Sequence, residues 1–250
     1  MTPPLFWVDD VPAAGEEATV SGSEGRHAVT VTRIRRGETV VLGDGRGTLA
    51  DCEVLGTSGK ERLTVRAGRV EFVTRPKPLV TVVQALPKSE RAELAVDLMT
   101  EAGVDVIVPW QASRCVARWA GSKAERGVDK WRSAAATAAK QARRPWIPEV
   151  TDLATTMDVR ERCARVVGDS GVVALLHETG STPFRSIDFS TASEIVVVIG
   201  PEGGLDDAEI ADLTALGGQP VVLGPEVLRT AAAGAVALGA LGAVTDRWSR

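Results

Sequence analysis

The chain has 250 residues, 44% of them apolar, and a formal net charge of −4; this is more than one ordinary domain, with ample material for a core, and it excludes a disordered chain. Cys52, Cys115 and Cys163 are odd in number and far apart, with no Cys-x-x-Cys or Cys/His cluster, which argues against a disulfide framework or structural zinc and fits a reducing compartment. The longest apolar tract, AAAGAVALGALGAV, is too short and too rich in Ala and Gly to span a bilayer, and MTPPLFWVDD lacks the basic start of a signal peptide, so a soluble, cytoplasmic protein is expected.

From Ala18 to Val73 short β-type runs, such as TVVLGDGRGTLADCEVLG and RLTVRAGRVEFV, are separated by Gly-Asp and Gly-Arg turns. LGDGRGTLADCEV reads as a hairpin turned at Asp44-Gly45. Residues 1–73 are thus expected to form a small β-barrel module. TRPKP at 74–78 follows, a linker in which two prolines and two cations break regular structure. Residues 79–250 then alternate strands with longer helices: LVTVVQAL, a helix from about Ser89 to Ala102, VDVIVPW, a helix from about Lys123 to Ala142, then VVALLHE, EIVVVIG and PVVLG. Apolar runs without alternation are strands covered on both faces, so the expectation is an α/β domain with a largely parallel sheet.

The overall charge conceals a patch. Residues 111–150 hold nine basic and three acidic side chains, whereas residues 151–250 hold seven and fourteen. A strongly basic stretch inside an acidic chain suits a polyanion-binding face. A solvated helix face is the alternative.

Two corners of one pattern stand close together. Ile199-Gly200-Pro201-Glu202 and Leu223-Gly224-Pro225-Glu226 each follow a run of valines and precede helix-forming sequence. Between them Asp206 and Glu209 form a capping box that starts a helix, and Gly217-Gly218 stops it. A right-handed βαβ unit places both corners at the carboxyl ends of parallel strands, where open α/β sheets collect ligands. Gly203 and Gly204 are expected to adopt positive φ and let the backbone approach a ligand. The loop is neither a P-loop nor a dinucleotide fingerprint, and Asp206, Asp207 and Glu209 would repel phosphate. A positively charged, adenosine-bearing cofactor fits better. In the last helix Ala231, Ala235 and Gly239 form a smooth stripe, suited to intrachain packing or to a homodimer seam.

GPEGG…E followed by LGPxxLRT resembles the ribosomal small-subunit methyltransferase E family, SPOUT-class enzymes that methylate N3 of a uridine in 16S rRNA with S-adenosylmethionine. The likeness extends over nearly the whole chain. It includes His27, Arg33, Gly37 and Asp44-Gly45 in the first module, KSERAELAVDLMTEAGVDVIVP, the SRC at 113–115, and AAKQARRPWIPEV around Gln141 and Arg144. The resemblance implies a PUA-like RNA-binding β-barrel, then an α/β SPOUT domain with a trefoil-knotted parallel sheet, acting as a homodimer on 16S rRNA of the small ribosomal subunit. It implies that Leu176, His177, Glu178, Ile199, Gly200, Pro201, Glu202, Gly203, Gly204, Leu223, Gly224, Val227, Leu228, Arg229 and Thr230 line the cofactor pocket. Three positions depart from the family pattern: Ala231-Ala232 replace a common Glu-Thr, Leu98 a common lysine, and Arg143 a frequent glycine.

Methyl transfer to uracil N3 needs a deprotonated nitrogen and stabilisation of anionic O2 and O4, and no metal. Arg229 is the first candidate for that stabilisation, because guanidinium keeps its charge; a salt bridge to Glu202 or Glu226 is its alternative. Glu202 is placed against the cofactor's ammonium or sulfonium, or as a cap of its loop. His177, at a strand end, is a candidate base or a hydrogen-bonded structural residue. Arg26, Arg33, Arg35 and Arg36 of the first module, with Arg114, Arg118, Lys140, Arg143 and Arg144, are the expected phosphate contacts. Trp146 either stacks on a base or packs between its neighbouring prolines. Two other functions stay open on sequence: an assembly factor that binds RNA and has lost efficient chemistry, given Ala231, Ala232 and Leu98, and a metabolic enzyme acting on a small nucleotide.

Overall fold

The computed structural model describes residues 2–88, 91–178, 180 and 182–249. It divides into two compact units, Met1–Arg75 with Ala139–Ile147, and Pro76–Ala138 with Pro148–Arg250.

The first unit contains β1 (Leu5–Trp7), β2 (Glu17–Val20), α1 (Gly22–Arg26), a π-helical stretch His27–Thr32, β3 (Thr39–Gly43), β4 (Thr48–Ser58) and β5 (Arg62–Phe72). They form one mixed sheet in the order β1-β3-β4-β5-β2, with β1 parallel to β3 and the remaining pairs antiparallel. Alternation builds its core: Ala50, Cys52 and Val54 of β4 and Leu63, Val65 and Ala67 of β5 turn inward onto Phe6, Val40 and Leu42. The expected hairpin joins β3 to β4. Asp44 Oδ1 accepts from the backbone N–H of Arg46 and Thr48, and Gly45 and Gly47 take φ of +67° and +104°. The helical turn and π-stretch between β2 and β3 were not expected from sequence, since Gly22 and Gly25 weaken any helical signal there. Residues 139–147 close this unit: Gly47 N–H donates to Pro145 O, Ile147 N–H to Gly45 O, and the Trp146 indole to Val73 O.

The second unit runs β6 (Leu79–Ala85), α2 (Ala92–Glu101), β7 (Val106–Trp110), α3 (Ser122–Gln141, its last residues in the first unit), β8 (Glu149–Val150), α4 (Thr156–Gly168), β9 (Val172–Leu176), β10 (Thr182–Pro183), β11 (Glu194–Ile199), α5 (Asp207–Ala215), β12 (Gln219–Val222) and α6 (Thr230–Val244). Its seven strands lie in the order β10-β12-β9-β11-β6-β7-β8, every pair parallel. The apolar runs are buried throughout, Val80 to Val83 and Ile195 to Ile199 almost completely, as doubly covered strands require. Of the helix expected from Ser89, Ser89 itself lies outside the described residues. Helix α4, which the sequence reading left out, starts at a capping box: Thr155 Oγ1 accepts from Asp158 N–H, and the Asp158 carboxylate accepts from Thr155 N–H. Those bonds hold the Asp158 carboxyl below its ordinary range.

Two further features position the site. First, β11 and β12 are parallel but not neighbours, because β9 lies between them. Second, α6 crosses back onto α2, where a Cβ on Gly234 would stand 2.6 Å from Met99 Sδ, so at that glycine, which is not one of the Ala231, Ala235 and Gly239 stripe, the small residue serves close helix packing within the chain. Among the described residues no helix is long and apolar enough to cross a membrane.

Candidate active site

Register brings three loops to one level. Leu176 of β9 pairs with Ile199 of β11 and with Val221 of β12, so all three strands end together. Because β9 is the middle strand, its exit loop enters between the two Gly-Pro-Glu corners. The His177 N–H donates to Val221 O and ties that loop to β12. The three loops enclose a cavity of about 460 Å³, within the size range of cofactor sites.

Fourteen of the fifteen cofactor residues expected from sequence line this cavity: Leu176, His177 and Glu178; Ile199, Gly200, Pro201, Glu202 and Gly204; Leu223, Gly224, Val227, Leu228, Arg229 and Thr230. Gly203 is the exception and lies against Arg114. The first corner is a turn closed by Gly204 N–H to Pro201 O at 2.9 Å. Gly204 takes φ +72°, whereas Gly203 stays out of the left-handed region, contrary to expectation. The glycine with no steric freedom is Gly200, where a Cβ would stand 2.8 Å from Leu205 N and 3.0 Å from Gly204 C.

The corner is fastened from outside. Glu202 Oε1 accepts the Lys88 N–H at 2.9 Å. The α5 capping box forms as expected, with Asp206 accepting from Ala208 N–H and Glu209 Oε2 from Asp206 N–H. Glu209 is nearly buried, and its other oxygen accepts the Ser113 N–H at 2.8 Å. Arg114 donates to Leu205 O at 3.0 Å and to Gly203 O at 3.4 Å, and stands 3.5 Å from the Asp206 carboxylate. The SRC segment therefore braces the first corner. Its third residue, Cys115, is buried, which raises its thiol pKa and leaves it a poor nucleophile.

At the second corner Arg229 is the N-cap of α6 and exposed to the cavity. Among the described residues it makes no ion pair, so the alternative bridges to Glu202 or Glu226 are not formed. The carboxylates of Glu178, Glu202 and Glu226 also line the cavity without an ion-pair partner among the described residues. Lys88 and Arg91 join the lining. Sequence reasoning gave them no role, although both stand in the KSER stretch quoted for the resemblance. Ala231, one of the departures, lines the wall beside Thr230.

The expected phosphate contacts fall into two sets. In the first unit Arg26, Arg33, Arg35 and Arg36 are exposed along the α1 end and the loop after it, with Arg33 at φ 58°. Lys140 there pairs with Glu24 at 2.5 Å and lies 4.9 Å from the Phe6 ring centre. Arg143 takes φ 55° and donates to Thr2 O, and the Arg144 N–H donates to Ala139 O. The left-handed backbone at Arg143 is one that glycine adopts more readily than an L side chain. Trp146 packs edge-on against Phe72, under the Arg75 guanidinium at 4.4 Å. In the second unit Arg114 braces the corner, and Arg118 donates to Ser113 O and Ala112 O.

These features have counterparts in known proteins. A family model described as an RNA methyltransferase domain matches residues 75–242, and one described as an RNA methyltransferase PUA domain matches residues 20–67. The chain is an RNA methyltransferase by class, with a PUA module ahead of the methyltransferase domain. The Mycobacterium bovis protein named Ribosomal RNA small subunit methyltransferase E is 48% identical over 244 residues, covering 98% of this chain and 93% of that one. The Bacillus subtilis protein of the same name is 30% identical over 236 residues, covering 91% and 90%. The chain belongs to the ribosomal RNA small subunit methyltransferase E family. In fold it matches the Neisseria gonorrhoeae member, with a TM-score of 0.86, 22% identity, and 97% and 98% of the two chains covered. A Legionella pneumophila methyltransferase solved with bound S-adenosylmethionine matches with a TM-score of 0.82 and 27% identity, covering 97% and 98%. The fold is thus the SPOUT type, a trefoil-knotted parallel-sheet domain preceded in the chain by a PUA-like β-domain.

Proposed function

We propose that the protein uses S-adenosylmethionine to methylate 16S rRNA of the small ribosomal subunit, at N3 of a uridine, and that the three-loop cavity is where it does so. The single observation that carries this reading is the convergence of the exit loops of β9, β11 and β12 on one cavity with a cation, Arg229, that makes no ion pair among the described residues. The cavity suits the cofactor in kind. Gly200 and Gly204 leave backbone rather than side chain at the turn, which suits recognition of an uncharged adenine edge, and the lining sets the carboxylates of Glu178, Glu202 and Glu226 beside the cations Lys88, Arg91 and Arg229, a mixed set that suits a ligand bearing ammonium, sulfonium and carboxylate groups together. Bound there, S-adenosylmethionine would supply an electrophilic methyl group. Arg229 would hold the charge that collects on uracil oxygens when N3 is deprotonated, a role that requires a guanidinium not already neutralised by a carboxylate.

The protein is read as cytoplasmic, where its three free cysteines stay reduced, and as a homodimer, supported by the exposed Val236, Val244 and Trp248 on and after α6. The deciding experiment pairs calorimetry with methyl incorporation into small subunits lacking the modification. Wild type should bind S-adenosylmethionine and turn over; Arg229→Ala should bind it within about threefold of wild type and lose on the order of 10²–10³ in kcat. Absence of cofactor binding would remove the reading. Tight binding without turnover by wild type would leave an RNA-binding factor in its place.

A further inference from the structure

The second unit holds a larger cavity, of about 850 Å³, which shares Lys88 with the three-loop site. One wall is a single face of α3. Lys123, Arg126 and Lys130 recur there at i, i+3 and i+7, together with Gly127 and Trp131. Gly127 has a structural reason: a Cβ would stand 2.8 Å from the Trp119 ring, so its absence lets that indole lie against the helix. Trp119 meets Trp131 edge-on with ring centres 5.6 Å apart, and its backbone N–H is held by Gln111 Oε1 at 2.8 Å. Trp131 is 1% exposed, and among the described residues its indole N–H has no hydrogen-bond partner.

The charge arrangement differs from an ordinary solvated helix surface. Elsewhere on α3 Arg132 pairs with Asp129. Among the described residues Glu93 is the only acid in the lining of this cavity, and the side chains of Lys88, Lys123, Arg126 and Lys130 have no ion-pair partner. Arg118, which also lines it, donates to neutral carbonyls and keeps its charge. Mutually repelling cations beside an aromatic wall match a polyanion carrying flat bases. The row from Lys123 to Lys130 extends about 10 Å along the helix, which follows a strand rather than one isolated phosphate.

We infer that this cavity binds the single-stranded RNA next to the target nucleotide, a base against Trp119 and the backbone along Lys123, Arg126 and Lys130, with Lys88 at the passage to the three-loop site. The inference rests on the reading of that site as an RNA methyltransferase centre. It is tested with K123E/R126E/K130E and W119A in the full chain. Two measurements are made: affinity for a labelled single-stranded RNA across a salt series, and methylation of unmodified small subunits. The charge variant should lose at least about a hundredfold in kcat/KM for the RNA substrate with cofactor affinity unchanged. Its salt dependence should be shallower by about two in logarithmic slope, as expected for three lost phosphate contacts. W119A should bind RNA about ten to a hundredfold more weakly. The uncharged K123Q/K130Q should move the same way by less, which covers failure of the triple variant to fold. RNA affinity and kcat/KM within twofold of wild type overturn the inference while leaving the methyltransferase reading intact. A shift of the charge variant from dimer to monomer in sedimentation also overturns it, since the face would then belong to a second copy. Wild type that binds RNA at this face but never methylates it would sink the activity reading instead.

Discussion

Two of the three glycines of the first corner, Gly200 and Gly203, differ in what they permit, although the sequence presents them alike. At Gly200 an added methyl meets the backbone of Leu205 and Gly204, and backbone cannot rotate away as a side chain can. Gly200→Ala should open the turn and cost about 1–3 kcal/mol of overpacking, read as roughly a ten to hundredfold weaker affinity for S-adenosylmethionine by calorimetry. At Gly203 the nearest neighbour of the same methyl is Arg114 Cβ at 3.5 Å, an ordinary contact. Gly203→Ala should therefore stay within about 0.5 kcal/mol of wild type. Equal losses at both positions would show that the corner rearranges when the cofactor binds. The buried thiols belong to this scale too: burial raises Cys52 and Cys163 to about 11, which removes them from thiolate chemistry near neutral pH.

At the scale of elements, the first corner is held as much by remote chain as by its own turn. Glu209 uses one oxygen for the Asp206 N–H within its own helix cap and the other for the Ser113 N–H from the loop after β7. An amide of the same shape keeps only one acceptor, so Glu209→Gln turns an NH₂ group toward a buried N–H. The expected loss is about 1–3 kcal/mol, seen in calorimetry as a lower melting temperature for the second unit by roughly 2–4 °C per kcal/mol. An unchanged melting temperature would mean that Ser113 finds another acceptor. This fastening also marks where the sequence stops being informative. The capping box, the Gly-Gly stop and both corners are written in neighbouring residues and were legible. The insertion of β9 between β11 and β12, the Ser113 and Arg114 brace, and the arrival of Lys88 and Arg91 in the cavity depend on strand order and on partners about 90 to 114 residues away. Local periodicity carries no record of such pairings. Helix α4 was missed for the opposite reason: its cap, Thr155 with Asp158, uses an aspartate where the common signature has Glu or Gln.

At the scale of the whole molecule, the second unit must hold a last helix that returns across the sheet to reach α2, and the chain secures that return just beyond the helix end. Arg247 donates to Gly103 O at 2.6 Å, to Asp105 Oδ2 at 2.8 Å, and to Pro78 O. Asp105 in turn accepts the Val80 N–H at 2.8 Å. The two side chains are only 5% and 1% exposed, so the pair joins the end of the domain to the first turn of β6 and the entry to β7 in a place water does not reach. A surface pair would contribute little. Here the consequence of removing one partner is large, because Arg247→Ala leaves the buried Asp105 carboxylate with the Val80 N–H but no counter-charge and takes the guanidinium away from the Pro78 and Gly103 carbonyls, at a cost of about 3–5 kcal/mol. Asp105→Asn keeps an acceptor for Val80 and removes the charge. Adding it to Arg247→Ala should recover part of the loss, and the double-mutant cycle should report a coupling of about 0.5–3 kcal/mol in urea unfolding. Strict additivity would mean that Arg247 acts only through the carbonyls, and that the return of α6 is secured by backbone contacts rather than by the ion pair.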